Sequence, residues 1–181
     1  MTVEQVSDED LVTRFARGDA AAFEALYRRH ETRIWRYLLR HVGSRALAED
    51  LMQDVWFAVA REAHRYRPQA RFTTWLFTLA HHRMIDSFRA QRPQAGAAAL
   101  DELPDAGAGP LALALAGDER AALAKTLGQL PPEQREAFLL QAEADLPVEE
   151  IAAVMGSSFE TTKSRLRYAR EKLRGLLQEY A

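Results

Sequence analysis

The chain has 181 residues, 48% of them hydrophobic, which is enough for one ordinary domain or two small ones and excludes a disordered tail. It has no cysteine, so disulfides, thiolate metal sites and thiol redox sensing are excluded. The formal net charge of −2 argues against strong binding to random DNA, but the charge is unevenly spread: residues 163–181 carry six Lys/Arg against two Asp/Glu, while residues 118–162 carry three against nine.

Apolar residues recur at helical spacing almost throughout and strand-type Val/Ile/Thr runs are missing, so an all-α protein is expected. No apolar run approaches the roughly 18 residues that cross a bilayer. The acidic start MTVEQVSDED does not read as a signal peptide, and a cytoplasmic protein is expected. In chain order, Ser7 with Asp10 caps a first helix that stops at Gly18. Asp19 caps a second, with Phe23, Leu26, Tyr27, His30, Ile34, Leu38 and Val42 as its apolar stripe and Gly43 as its end. Ser44 caps a third, carrying Leu47, Leu51, Val55 and Val59 on one face. Pro68 breaks the arginine-rich HRYRPQARF, and Thr73 or Thr74 starts a fourth helix running past Trp75, Leu76, Leu79, Ile85 and Phe88.

Residues 93–117 are rich in Pro, Gly and Ala, lack aromatic and basic groups, and read as a flexible linker. Helical periodicity resumes after Asp118, and Pro132 suits the first turn of a further helix. Two small helical bundles are therefore expected, 1–92 and 118–181, each with its own core. The second contains a helix-turn-helix: Val148, Ile151, Ala152 and Met155, then the Gly156-Ser157-Ser158 turn, then Phe159, Thr162, Leu166, Ala169 and Leu173.

Three constellations carry chemistry. The last helix is strongly basic, with Lys163, Arg165, Arg167, Arg170, Lys172 and Arg174, and a cationic helix offered by such a turn fits the major groove; a solvated basic face is the bland alternative. In the third helix, Asp50, Gln53 and Asp54 share a face opposite the Leu47/Leu51/Val55 stripe. Beside Trp56 as an aromatic anchor, that face suits a basic partner helix, or is an ordinary polar surface. From Arg65 to Trp75, Arg65, Tyr66, Arg67, Arg71 and Phe72 interleave cations with flat rings, as a platform for unpaired bases does, while Trp75 is also in step with the core through Leu79. Arg83, Arg89 and Arg92 extend that basic surface. His81 and His82 are adjacent and point about 100° apart, which makes no metal site. No HExxH, phosphate-binding glycine loop or GxSxG is present, and no enzyme, metal or cofactor is expected.

The runs AEDLMQDVW, RFTTWLFTLAHHRMIDSFR, LPPEQREAFLL and LPVEEIAAVMGSSFETTKSRLRYAREKL, in this order around a tether, resemble the extracytoplasmic-function (group IV) sigma factors of bacterial RNA polymerase, which keep only the second and fourth sigma regions. The resemblance covers nearly the whole chain except the tether. It implies that Asp50, Gln53, Asp54 and Trp56 dock on the clamp coiled coil of core RNA polymerase. It implies that Arg65, Tyr66, Arg67, Arg71 and Phe72 capture and melt the minus-ten promoter element, with Arg83, Asp86 and Arg89 continuing the contact. Lys163, Ser164, Arg167 and Tyr168 would face the minus-thirty-five element, with Arg165 and Arg170 on phosphates or in the scaffold. Family members are commonly held inactive by an anti-sigma factor, an expected partner here alongside core polymerase and promoter DNA. Asp101, Glu102 and Asp105 in the tether either mimic nucleic-acid charge or belong to a plain spacer. The chain departs from the family at His81-His82, where Arg-Asn is common, at Pro147, where a Ser/Thr cap is usual, and at Glu160, which adds negative charge near DNA. The rival reading is a helix-turn-helix regulator that binds duplex operators without polymerase.

Overall fold

Side-chain caps set several of the helix starts. In the computed structural model, residues 6–91 and 125–178 are described. They form α1 (Asp8–Ala16), α2 (Ala20–Val42), α3 (Arg45–Glu62), α4 (Phe72–Gln91), α5 (Pro132–Ala144), α6 (Val148–Met155) and α7 (Phe159–Gln178), with a 3₁₀ turn at Ala63–Arg65 and no strand among these residues. The Ser7 hydroxyl accepts from the Asp10 amide, the Asp19 carboxylate from the amides of Ala21 and Ala22, and the Ser44 hydroxyl from the Leu47 amide. Gly43 ends α2 in the left-handed conformation at φ 66°, which costs a glycine little. The fourth helix starts at Phe72 rather than at Thr73 or Thr74. Its cap is tertiary: the Glu9 carboxylate of α1 accepts the Phe72 amide at 2.9 Å, a partner 63 residues away that no local pattern reveals.

Helices α1 to α4 form the first bundle, around Leu26, Ile34, Tyr37, Leu38, Val55, Val59, Phe72, Leu76 and Phe77. Asp8 pins α1 to α2 by accepting from Arg29 at 2.7 Å and pairing with His30 Nε2 at 2.6 Å. Burial alone would raise the Asp8 pKa, but the bonds and charges of His30 and Arg29 outweigh it and hold the carboxyl below its ordinary value. Helices α5 to α7 form the second bundle, around Leu139, Leu140, Ile151, Val154, Leu166, Ala169 and Leu173. Pro132 occupies the first turn of α5, where its missing N–H costs nothing. The expected linker, 93–117, and the expected Asp118 cap lie outside the described residues.

The two bundles do not stand apart. α2 and α4 pack on α5, and α4 also packs on α6, so the buried apolar cluster runs through both bundles instead of forming two separate cores. The seam is polar as well as apolar. Arg36 and Arg40 of α2 both bond the fully buried Glu143 of α5, Arg36 at 2.8 Å. Tyr37 and His81 share the Glu136 carboxylate, and Thr74 and Arg71 meet Glu150 of α6. Long-range pairing of this kind has no periodic signature, which is why local patterns point to two independent cores.

Candidate nucleic-acid interface

Asp50, Gln53 and Asp54 lie exposed along one face of α3, as their spacing requires. Trp56 does not join them. It is 5% exposed and sits inside the bundle, its ring edge-on to Phe23 at 5.7 Å and tilted on Tyr27 at 4.9 Å. Two residues beyond Asp54, a side chain has turned about 200° away, toward α2. The expected anchor is corrected accordingly. The exposed aromatic is its neighbour Phe57, 70% exposed, three residues from Asp54 and four from Gln53. Helical register alone is enough to find it, although the larger indole is the more obvious anchor by residue type.

The arginine-rich segment also differs from the expected stacking platform. Phe72 is fully buried and Tyr66 is 7% exposed. Tyr66 donates its hydroxyl to the Ala70 carbonyl at 2.5 Å, and its pKa is pushed up to about 12 by burial and then by the nearby Glu9 and Asp8. These two rings therefore offer no free face; they brace the loop. Trp75 is half-buried and closes the cluster, 5.3 Å from Tyr66 and 5.8 Å from Phe72. Arg65 and Arg67 are exposed, on a loop made rigid by those rings. Arg71 is exposed too, but its guanidinium approaches Glu150 at 3.6 Å. On α4, Arg83 lies 3.7 Å from Glu62, and the exposed Arg89 lies 3.9 Å from Asp86. His81 turns toward the second bundle and pairs with Glu136, while His82 is exposed. Among the described residues no cluster of His, Asp and Glu suits a metal ion.

The third surface is the helix-turn-helix. Gly156 ends α6 at φ 59°, and its amide reaches the carbonyls of Ala152 and Ala153. Ser158 then caps α7 by accepting from the Thr161 amide at 3.1 Å. The fully buried Thr162 locks the turn through its hydroxyl, 2.7 Å from that of Ser157. α6 has no side-chain cap because Pro147 precedes it; Glu149 and Glu150 complement the positive end of its dipole instead. Leu166, Ala169 and Leu173 face inward, so Lys163, Arg167, Tyr168 and Arg170 stand exposed, with Ser164 and Arg165 half-buried beside them. The Arg167 guanidinium lies 4.8 Å from the Tyr168 ring, and Arg170 also bonds Gln141 of α5. Lys163, Ser164, Arg167 and Arg170 line a groove along α7 that opens toward Val148 of α6.

The chain matches the Sigma-70 region 2 family over residues 26–94 and the Sigma-70 region 4 family over residues 120–173. It is 38% identical to the RNA polymerase sigma factor CarQ of Myxococcus xanthus across 92% of this chain and 95% of CarQ. It is 31% identical to the ECF RNA polymerase sigma factor SigK of Mycobacterium tuberculosis, across 94% of each. The chain belongs to the ECF family of RNA polymerase sigma factors. The fold of this sigma factor is similar to that of CnrH in complex with the cytosolic domain of CnrY, with a TM-score of 0.71 and 28% identity over 96% of this chain and 99% of CnrH. Since the likeness spans both bundles, α1 to α7 follow a shared sigma-factor architecture. Sequence reasoning about this sigma factor missed the carboxylates Glu136, Glu143 and Glu150, because each is an ordinary helix glutamate until the other bundle is placed against it.

Proposed function

We propose that this sigma factor docks on core RNA polymerase through the Asp50, Gln53 and Asp54 face of α3 and directs initiation by touching two promoter elements. Residues 1–92 serve as the region 2 domain, with Arg65, Arg67, Arg71, Arg83, Asp86 and Arg89 at the minus-ten element. Residues 118–181 serve as the region 4 domain, with Lys163, Ser164, Arg167 and Tyr168 at minus-thirty-five bases and Arg165 and Arg170 nearer the phosphates. The observation that carries the reading is the exposed basic face of α7, presented by a braced helix-turn-helix in the same chain as the acidic face of α3. The protein works in the cytoplasm, by binding and not by catalysis. Among the described residues, no helix is long and apolar enough to cross a membrane.

Opening DNA costs on average about 1.4 kcal/mol per stacked step, more than two small basic surfaces supply alone. Polymerase fixes the separation of the two domains, so two weak contacts act as one bidentate contact. The two elements lie about 25 base pairs apart, roughly 85 Å at about 3.4 Å per step. The bundles must therefore separate before both are read at once. A protein partner that held the two bundles together would oppose that separation; CnrH, which shares this fold, is in complex with the cytosolic domain of CnrY, and an anti-sigma factor is the regulator we assign to this chain.

Transcription by purified core polymerase, with and without the protein, tests the reading: new start sites appear only when it is present. Asp54→Arg abolishes core binding. Arg167→Ala keeps core binding and loses about 10- to 100-fold of discrimination at the upstream element, the value of one bidentate arginine–base contact. Start sites that do not depend on the protein would overturn the assignment.

A further inference from the structure

The seam between the bundles is built like an anion site already filled. Glu143 is fully buried, and two guanidiniums from successive turns of α2 hold its two oxygens, Arg36 on Oε2 and Arg40 on Oε1. Opposed guanidiniums on one planar anion are the arrangement arginine uses for carboxylates and phosphates alike. Elsewhere in the seam, Tyr37 and His81 engage Glu136, and Thr74 and Arg71 engage Glu150. Each of the three carboxylates comes from the second bundle, and each partner group comes from the first. Arg36 and Arg40 are only 4% and 8% exposed while the bundles touch. When the bundles part, this pair of cations loses its shared anion, and another anion of similar shape satisfies it best. Arg71, in the segment assigned above to the promoter, meets Glu150 in the same seam.

We infer that the α2/α4 face bearing Arg36, Arg40 and Arg71 is a further DNA-backbone site, and that Glu136, Glu143 and Glu150 occupy it as phosphate mimics while the chain is closed. The occupant after opening is the sugar-phosphate backbone of promoter DNA beside the element assigned to the arginine-rich loop. Closure thus hides a DNA site with the protein's own acids, and DNA competes with them. This inference rests on the proposed promoter function.

The test exploits two variants that both break the clasp but leave opposite charges. Since the chain has no cysteine, Glu24→Cys and Glu171→Cys accept a donor and acceptor dye for intramolecular energy transfer. In the full-length chain, Glu143→Gln lowers the transfer and binds a random-sequence duplex of about 30 base pairs at least tenfold more tightly than the unaltered chain at about 0.1 M salt. The double variant Arg36→Gln/Arg40→Gln also lowers the transfer but gains no affinity. Its slope of log affinity against log salt is shallower than that of Glu143→Gln by ~0.9 for each phosphate it no longer neutralises. Glu150→Gln, at a less buried position, reports the same trend if Glu143→Gln melts, as circular dichroism reveals. Two open variants with equal affinity and equal slope would overturn the inference, as would an open Glu143→Gln that binds no tighter. Promoter-dependent transcription by the unaltered chain with core polymerase is scored in parallel. If it fails, the sigma role falls; if it succeeds while the slopes coincide, only the phosphate site falls.

Discussion

Trp56 and Phe57 are neighbours in sequence with opposite environments, and the difference is a matter of helical angle. The Trp56 indole fills the space between Phe23 and Tyr27, although its Nε1 finds no protein partner. Its packing value outweighs that unpaired donor, because a buried indole contributes several kcal/mol of apolar contact. Trp56→Ala is expected to lower the unfolding free energy by about 3–5 kcal/mol, read from urea denaturation. Phe57→Ala is expected to leave the urea midpoint nearly unchanged and to weaken core polymerase binding about tenfold, since an exposed ring beside Asp50, Gln53 and Asp54 stabilises nothing within the chain. A drop in stability for Phe57→Ala with core affinity intact would show that the ring serves folding alone. At this scale the exposure of Asp50, Gln53 and Asp54 was legible in the sequence, because their spacing already placed them on one outward face. Tyr66 and Phe72 were not legible: alternating cations and rings describe a stacking platform and a braced loop equally well.

The helices themselves were written in local signals. Ser7, Asp19 and Ser44 cap where a short polar acceptor precedes an apolar run, and Gly43 and Gly156 adopt the left-handed region where a helix must end. Gly156 matters most to the helix-turn-helix geometry, because it turns the chain from α6 toward α7 at φ 59°. No heavy atom lies within 4 Å of where a Cβ would stand, so the strain of a side chain there is conformational and not steric. Gly156→Ala is expected to cost about 1–2 kcal/mol of stability and to weaken minus-thirty-five binding more than core binding. Equal losses at both surfaces would mean that the turn acts only through global stability. The element that local signals misplaced is the start of α4, which Glu9 caps from another helix.

At the scale of the whole molecule, a histidine near the seam makes folding stability sensitive to acid. His41 is buried between α2 and its neighbours, with Tyr37, Glu136, Arg135 and His81 around it. Burial chiefly, with the charges of Arg135 and His81, lowers its pKa from 6.5 to about 4 against the opposing pull of Glu136 and the Tyr37 carbonyl. The folded chain therefore keeps His41 neutral where the unfolded chain protonates it. Stability is full above pH 6.5 and is lost progressively as the pH falls toward 4. Glu136 acts in the same sense at lower pH. Burial raises its pKa, but the His81 bond, the imidazole charges and the Tyr37 hydroxyl hold it below 4.5, so its contribution is lost on further acidification. Between about pH 7 and about pH 5 the His41 effect amounts to about 2 kcal/mol, measurable as a fall in the urea midpoint that His41→Gln flattens. An unchanged pH slope in His41→Gln would place the acid sensitivity elsewhere.

The sequence by itself determined the helices, the helix-turn-helix, the basic face of α7 and the acidic face of α3. These follow from residues three or four apart along one chain, where periodicity and capping act over a single turn. Only the tertiary structure decided that Tyr66 and Phe72 belong inside, and that Glu136, Glu143 and Glu150 close the two bundles on each other. The closure depends on partners about a hundred residues away, as in Arg36 with Glu143. A buried charge reveals its counter-ion only when both helices are in place, because burial itself comes from the element packed across it.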